Sequence, residues 1–189
     1  MVITDRLSLR TQYSDCFGKL LQKKNGESMK KKNTAVLHLT QGAVIASLYV
    51  VLTLVFAPVS FGLVQVRVAE VLTILPMFTP SAVVGLFIGC LLANLIGGAV
   101  VWDILLGSLA TLIGAVFAYV LRFNRWLVPI PAVVSNSLII PVVLRYGYGM
   151  TEFPYWLMAL YIAVGEVIGC YIFGELFATA LLKYKHHIS

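Results

Sequence analysis

From residue 35 to residue 183 the chain alternates long apolar runs with short breaks of proline, glycine and charge. A helix needs about 20 mostly apolar residues to cross a hydrocarbon core. On that measure the pattern predicts six spans: Ala35 to Ala57, Val64 to Phe78, Ser81 to Ile96, Trp102 to Arg122, Trp126 to Tyr146 and Tyr155 to Lys183. The second and third are short, and Pro76 and Pro80 predict the turn between them.

Small residues recur along these spans at helical spacing. Gly85, Gly89, Ala93 and Gly97 follow one another every four residues in the third, Gly107, Ala110, Gly114 and Ala118 lie along the fourth, and Ala159, Ala163, Gly165 and Gly169 along the sixth. Apolar surface gains little by moving from lipid to protein, so close helix packing depends on such residues. In spans three and four they predict internal packing. On the first span, Gly42 with Ala46 and Ala43 with Ser47 fit internal packing and a partner subunit equally well.

Composition fixes the class. The 189 residues are 60% hydrophobic and 12% charged, with a mean hydropathy of +0.92, which describes an all-α integral membrane protein with six transmembrane helices. The net charge of +6 would suit a nucleic-acid partner, but its placement argues against one. Lys19, Lys23, Lys24, Lys30, Lys31 and Lys32 precede the first span, Arg122 and Arg125 separate the fourth from the fifth, and Lys183 and Lys185 follow the last. Six spans put all of these on one side, which the positive-inside rule assigns to the cytoplasm. Both termini are then cytoplasmic, and Pro58 to Leu63, Gly97 to Val101 and Gly147 to Pro154 face outward. Residues 1–28 carry mixed charge and no apolar span, and read as an extension, either disordered or upstream of a start at Met29; the membrane domain is 29–189.

The polar residues within the spans are Arg67, Glu70, Asn94, Asp103, Ser108, Asn136 and Glu166. An ionisable group at bilayer depth is costly and marks a functional position. The topology gathers these residues in the outer half of the bundle, as an outward-facing pocket with an apolar floor and no continuous pore. Arg67 and Glu70, spaced i,i+3, can pair along their own helix, although pairing alone does not explain why both charges are there. Trp102 fits a stacking surface and an interfacial anchor equally well. Asn94 and Asn136 fit ligand contacts or interhelical hydrogen bonds, and Glu166 has no basic neighbour in sequence.

Cys16, Cys90 and Cys170 lack metal-ligand spacing and read as small apolar packing residues, while His38, His186 and His187 lie at the membrane-flanking ends. No metal or cofactor is expected. There is no H-E-x-x-H, no G-x-S-x-G and no Walker A phosphate loop, so the chain reads as a binding or transport protein powered by an ion gradient or by another subunit.

The run Val66-Arg67-Val68-Ala69-Glu70-Val71-Leu72-Thr73-Ile74-Leu75-Pro76 is followed by Phe78-Thr79-Pro80, by Gly85 to Asn94, by Trp102-Asp103-Ile104 and by Gly107 to Thr111. In this order, and extending through Asn136 and Tyr161 to Gly165-Glu166, the chain resembles the queuosine precursor transporter family. The resemblance implies a substrate-binding S component of an energy-coupling factor (ECF) transporter. It implies capture of a 7-deazaguanine from outside, and assembly with a transmembrane coupling subunit and two ATPases. Small residues on the first helix, here Gly42, Ala43, Ala46 and Ser47, would meet the coupling subunit.

The pocket suits that substrate class. A guanine-like edge presents an N–H beside an amino group, which a carboxylate accepts in bidentate fashion. Glu70, Asp103 and Glu166 exceed what one base edge needs, leaving an acid for a cationic aminomethyl substituent. The alternative is a small proton- or cation-coupled secondary transporter or channel, with Glu70 and Glu166 as its ion sites.

Overall fold

The computed structural model describes residues 33–57 and 67–188, with side chains as far as Lys183. The extension over 1–28, the start at Met29, the lysines before the first span, Cys16 and the Pro58 to Leu63 loop lie outside the described residues. Two compact units divide within the first helix, Met1–Leu39 and Thr40–Ser189. Of the first, residues 33–39 are described, as helix. The rest of this account concerns the second.

Every described element is helical. We number them α1 (Asn33–Val55), α2 (Val68–Met77), α3 (Ser81–Ile96), α4 (Asp103–Val120), α5 (Arg125–Tyr146) and α6 (Tyr155–Lys183). Four of these, α1, α4, α5 and α6, are long and apolar enough to cross a membrane, and α2 and α3 are apolar but shorter. The boundaries follow the apolar runs closely because proline, glycine and charge interrupt helix and hydropathy together.

The winding departs from uniform α-helix in four places, the least of them a 3-10 turn over Arg125–Leu127 where α5 begins. α2 is a 3-10 helix throughout, α4 opens with a π-helical turn over Asp103–Gly107, and α6 has a π-helical stretch over Val167–Phe173. Long 3-10 runs are uncommon, and π turns gather at functional positions. With three residues per turn, α2 stacks Arg67, Glu70 and Thr73 in a single row.

Packing follows the small residues. α4 lies between α3 and α5, α5 packs on α6, and α2 packs on α4 and on the π stretch of α6. α1 meets α3 almost backbone to backbone: a Cβ on Gly85 would stand 2.7 Å from the Gly42 carbonyl oxygen, and one on Gly89 would stand 2.7 Å from Tyr49 Cβ. Gly114 makes the same close approach to Ala132 of α5. Gly42 and Ala46 thus face α3, whereas Ala43 and Ser47 on the neighbouring stripe are exposed.

The outer surface is apolar, with Val44, Leu48, Val84, Ile88, Leu138 and Leu160 among its exposed residues, as expected of helices facing lipid. Exposed aromatics collect at both ends of the bundle. Trp102, Tyr146 and Trp156 lie at one end and Phe123 and Trp126 at the other, matching the belts that mark membrane interfaces. At the second end Arg125 bonds Glu175 and Thr179, beside an open groove of about 720 Å³.

Two left-handed glycines shape the first end. Gly98, at φ +71°, ends α3 in a Schellman turn, with Ala99 N–H donating to the Asn94 carbonyl at 2.9 Å. Gly149, at φ +68°, reverses the chain after α5 so that Met150 N–H reaches the Leu144 carbonyl at 3.0 Å.

The α1–α3 contact is testable. Gly89→Ala would press its Cβ to 3.0 Å from the Ala46 carbonyl oxygen as well as onto Tyr49, and overpacking of this kind costs about 1 to 3 kcal/mol. The thermal midpoint of the purified protein should fall, while Gly42→Ala, whose Cβ meets nothing nearer than 3.4 Å, should leave it unchanged. Equal midpoints for the two variants would refute the contact.

Candidate functional site

Four charged residues are buried among the described residues: Arg67 of the α2 N-cap, Glu70 of α2, Asp103 of α4 and Glu166 of α6. All four belong to one cluster, at the end of the bundle that carries Gly98 and Gly149. The cluster has two halves.

The first half is centred on Asp103. Its Oδ1 accepts from Arg67 Nη2 at 3.1 Å and its Oδ2 from the Tyr148 hydroxyl at 3.1 Å. Asn94 Nδ2 donates to the Asp103 backbone carbonyl at 3.1 Å. Gly107 makes room for this knot, since a Cβ there would stand 2.7 Å from Asp103 Oδ1. The guanidinium and carboxylate neutralise each other, which offsets part of the cost of removing both from water. Burial and, after it, the Asp103 carboxylate raise the pKa of the Tyr148 phenol, so Tyr148 keeps its proton and remains a donor through the physiological range. The i,i+3 pairing of Arg67 with Glu70 gives way to this pairing between helices.

The second half is centred on Glu70 and Glu166. Glu70 Oε1 accepts from the Tyr49 hydroxyl at 2.8 Å. Glu166 Oε1 accepts from Asn136 Nδ2 at 2.9 Å, and its Oε2 from the Cys170 thiol at 3.4 Å. Thr73 Oγ1, which donates to the Glu70 backbone carbonyl at 2.6 Å, lies 3.5 Å from Cys170 Sγ. Two acceptors are left without a partner, Glu70 Oε2 and Asn136 Oδ1. Both residues are 0% exposed. A buried polar atom without a partner costs about 1 to 3 kcal/mol, and two at one place point to a donor that the chain itself does not supply.

Glu70, Glu166 and Cys170 each offer one ligand atom, all within 4.8 Å of one another. A cation, organic or metallic, could bridge them. Spacing along the chain conceals this group, because Glu70 comes from α2 while Glu166 and Cys170 lie one turn apart on α6.

Arg67, Glu70, Asn94, Asp103, Asn136 and Glu166 therefore meet in one buried layer. Trp102 stands outside it, 55% exposed among the aromatics of the bundle end. Tyr49, Tyr148, Thr73 and Cys170 join the layer although composition gave no reason to single them out. Tyr49 did leave a trace in the sequence: with Ile45, Ala46 and Thr53 it forms the buried stripe of α1. Cys90 is a packing residue with a polar contact, accepting from Thr111 at 3.3 Å.

No solved structure matches this chain. Among curated proteins, the queuosine precursor transporter QueT of Lactococcus lactis subsp. cremoris (strain MG1363) is 33% identical over 100 residues, covering 52% of this chain and 57% of that protein. The chain thus matches a little over half the length of this relative. The profile described as QueT transporter matches residues 39–183, a stretch that takes in α2 to α6 and every residue of the buried layer. The chain belongs to the QueT transporter family.

Proposed function

We propose that this chain is the substrate-binding S component of an ECF-type importer. In this reading it captures a queuosine precursor of the 7-deazaguanine class from outside the cell and passes it on with a membrane coupling subunit and two ATPases. Both termini are cytoplasmic, and the buried layer lies toward the outer face. The family and the name of the lactococcal relative support the substrate class. The observation that carries the binding role is the pair of orphaned acceptors, Glu70 Oε2 and Asn136 Oδ1, inside a closed polar layer.

All buried charge among the described residues is gathered in that layer. This favours a binding pocket over an ion path, which would need polar groups along its whole length. Ligand contacts are assigned to Arg67, Glu70, Asn94, Asp103, Asn136 and Glu166, with Tyr49 and Tyr148 as positioning residues. The contact with the coupling subunit is assigned to the exposed stripe of Ala43 and Ser47, because Gly42 and Ala46 are already packed on α3.

Two experiments test the reading. Glu70→Gln keeps the shape but can set an NH2 group against the donors of Tyr49 or of the ligand. With a buried mismatch costing about 1 to 3 kcal/mol, calorimetry should show affinity for a 7-deazaguanine falling about tenfold or more. Unchanged affinity would make Glu70 purely structural.

Purified protein in liposomes should bind such a ligand yet fail to accumulate it until the coupling subunit and ATPases are added. Concentrative uptake by the chain alone, driven by a proton gradient, would instead support a secondary transporter.

A further inference from the structure

Away from the buried layer, at the end of the bundle that exposes Phe123 and Trp126, the start of α5 and the last turns of α6 line the open groove of about 720 Å³. The chain itself ties its walls together. Arg125 Nε donates to the Glu175 carboxylate, and its Nη2 donates to the Thr179 hydroxyl and, at 2.9 Å, to the Glu175 carbonyl. The Tyr171 hydroxyl donates to the Trp126 carbonyl at 2.9 Å. The groove is therefore preformed.

Residues four apart on a helix lie one above the other, so α6 offers the groove two rows. Glu175, Thr179 and Lys183 make a polar row, and Ile172, Leu176 and Ala180 make an apolar row beside it. Ile172, Leu176 and the Trp126 indole are all exposed. Such a trough suits an acyl chain, and the indole suits the interfacial depth at which lipid head groups begin.

The charges that remain open in the groove are cationic. One Glu175 oxygen is taken by Arg125, and the other, Oε1, is closed to solvent. Arg125 keeps its Nη1 hydrogens unpaired among the described residues, and Lys183 is exposed and forms no ion pair among them. Arg125 and Glu175 cancel, leaving one net positive charge. Arg122, the other cation of this turn, lies over the rings of Tyr119 and Phe123 at 4.4 and 5.4 Å and is not part of the groove.

We propose that this groove binds an anionic phospholipid, its phosphodiester on Lys183 and Arg125 Nη1 and one acyl chain along Ile172, Leu176 and Ala180. A single phosphodiester matches the single net charge, whereas a choline head would bring a second cation to a place that already has one in excess. In the orientation proposed above the lipid comes from the cytoplasmic leaflet, where basic residues at helix ends attract anionic head groups. The stripe assigned to the coupling subunit lies on α1, away from these residues. The site does not depend on what the buried layer binds.

The test uses the purified full-length protein in vesicles that mix phosphatidylcholine with phosphatidylglycerol, one of the two brominated high on its acyl chains, where bromine quenches nearby tryptophan. Trp102 and Trp156 lie at the opposite end of the bundle, so the signal of Trp126 is the difference between the protein and its Trp126→Phe variant. A basic group near an anionic head group is worth about fivefold in local concentration. Brominated phosphatidylglycerol should therefore quench Trp126 as though enriched about fivefold over its share of the vesicle. Lys183→Gln, at an exposed position, leaves the fold intact and should cut the enrichment to about twofold or less, while millimolar glycerol 3-phosphate should not compete. Equal quenching by the two lipids at equal share would overturn the inference, as would an enrichment that survives Lys183→Gln. Release of the lipid by glycerol 3-phosphate would make this a site for a soluble phosphate. Protection of Trp126 from both lipids would mean that a protein, a second copy or the coupling subunit, covers the groove. Either result also overturns the inference. None of these readouts involves a 7-deazaguanine, so the transport reading stands or falls separately.

Discussion

A bundle that buries three carboxylates and one guanidinium must solvate them from within, because neither lipid nor a dry core will do so. Much of the local geometry answers that demand. The 3-10 winding of α2 brings Arg67, Glu70 and Thr73 into one row, so that a single short element serves both halves of the layer. The π turn at the start of α4 lies where Asp103 offers its backbone carbonyl to Asn94 and its carboxylate to Arg67. The glycine turns after α3 and α5 bring the start of α4 and Tyr148 together. Packing serves the same end, since Gly89 lets α1 approach closely enough for the Tyr49 hydroxyl to reach Glu70.

The two halves of the layer differ in how far the chain itself satisfies their buried polar atoms. Arg67, Asp103, Asn94 and Tyr148 bond one another across helices, and no fully buried side-chain atom among them lacks a partner. The Glu70–Glu166 half leaves two buried acceptors without a partner, Glu70 Oε2 and Asn136 Oδ1. Natural proteins satisfy nearly all of their buried polar atoms. A deficit confined to one place in an otherwise satisfied layer is the observation on which the proposed binding role rests.

Much of this was legible in the chain. Hydropathy and its breaks located the helices because the same residues end both. Polar residues stand out against apolar spans, so Arg67, Glu70, Asn94, Asp103, Asn136 and Glu166 were visible as a set, and topology placed them together. Their partners were not visible. A tyrosine in a membrane span resembles an anchor and a cysteine resembles packing, so Tyr49 and Cys170 gave no polar signal, while Trp102 beside an acid suggested a platform that the fold turns outward. Pairing between helices also lies beyond local spacing: Arg67 sits three residues from Glu70 but bonds Asp103, 36 positions away. The winding of α2 was hidden for another reason. Ten residues that are apolar on nearly every side carry no periodicity by which a repeat of three could be told from one of 3.6.

That winding has a mechanical consequence. A 3-10 helix rises about 2.0 Å per residue and an α-helix about 1.5 Å, so α2 would contract by roughly 5 Å over its ten residues if it rewound. Each step of three residues would then fall about 60° short of a full turn. Arg67, Glu70 and Thr73 would fan out across the helix surface and could no longer face Asp103, Tyr49 and Cys170 together. The register between the Arg67–Asp103 pair and the Glu70–Glu166 pair is thus held by the pitch of one short segment, which works like the thread of a screw: a small change in pitch becomes a rotation of the whole polar row.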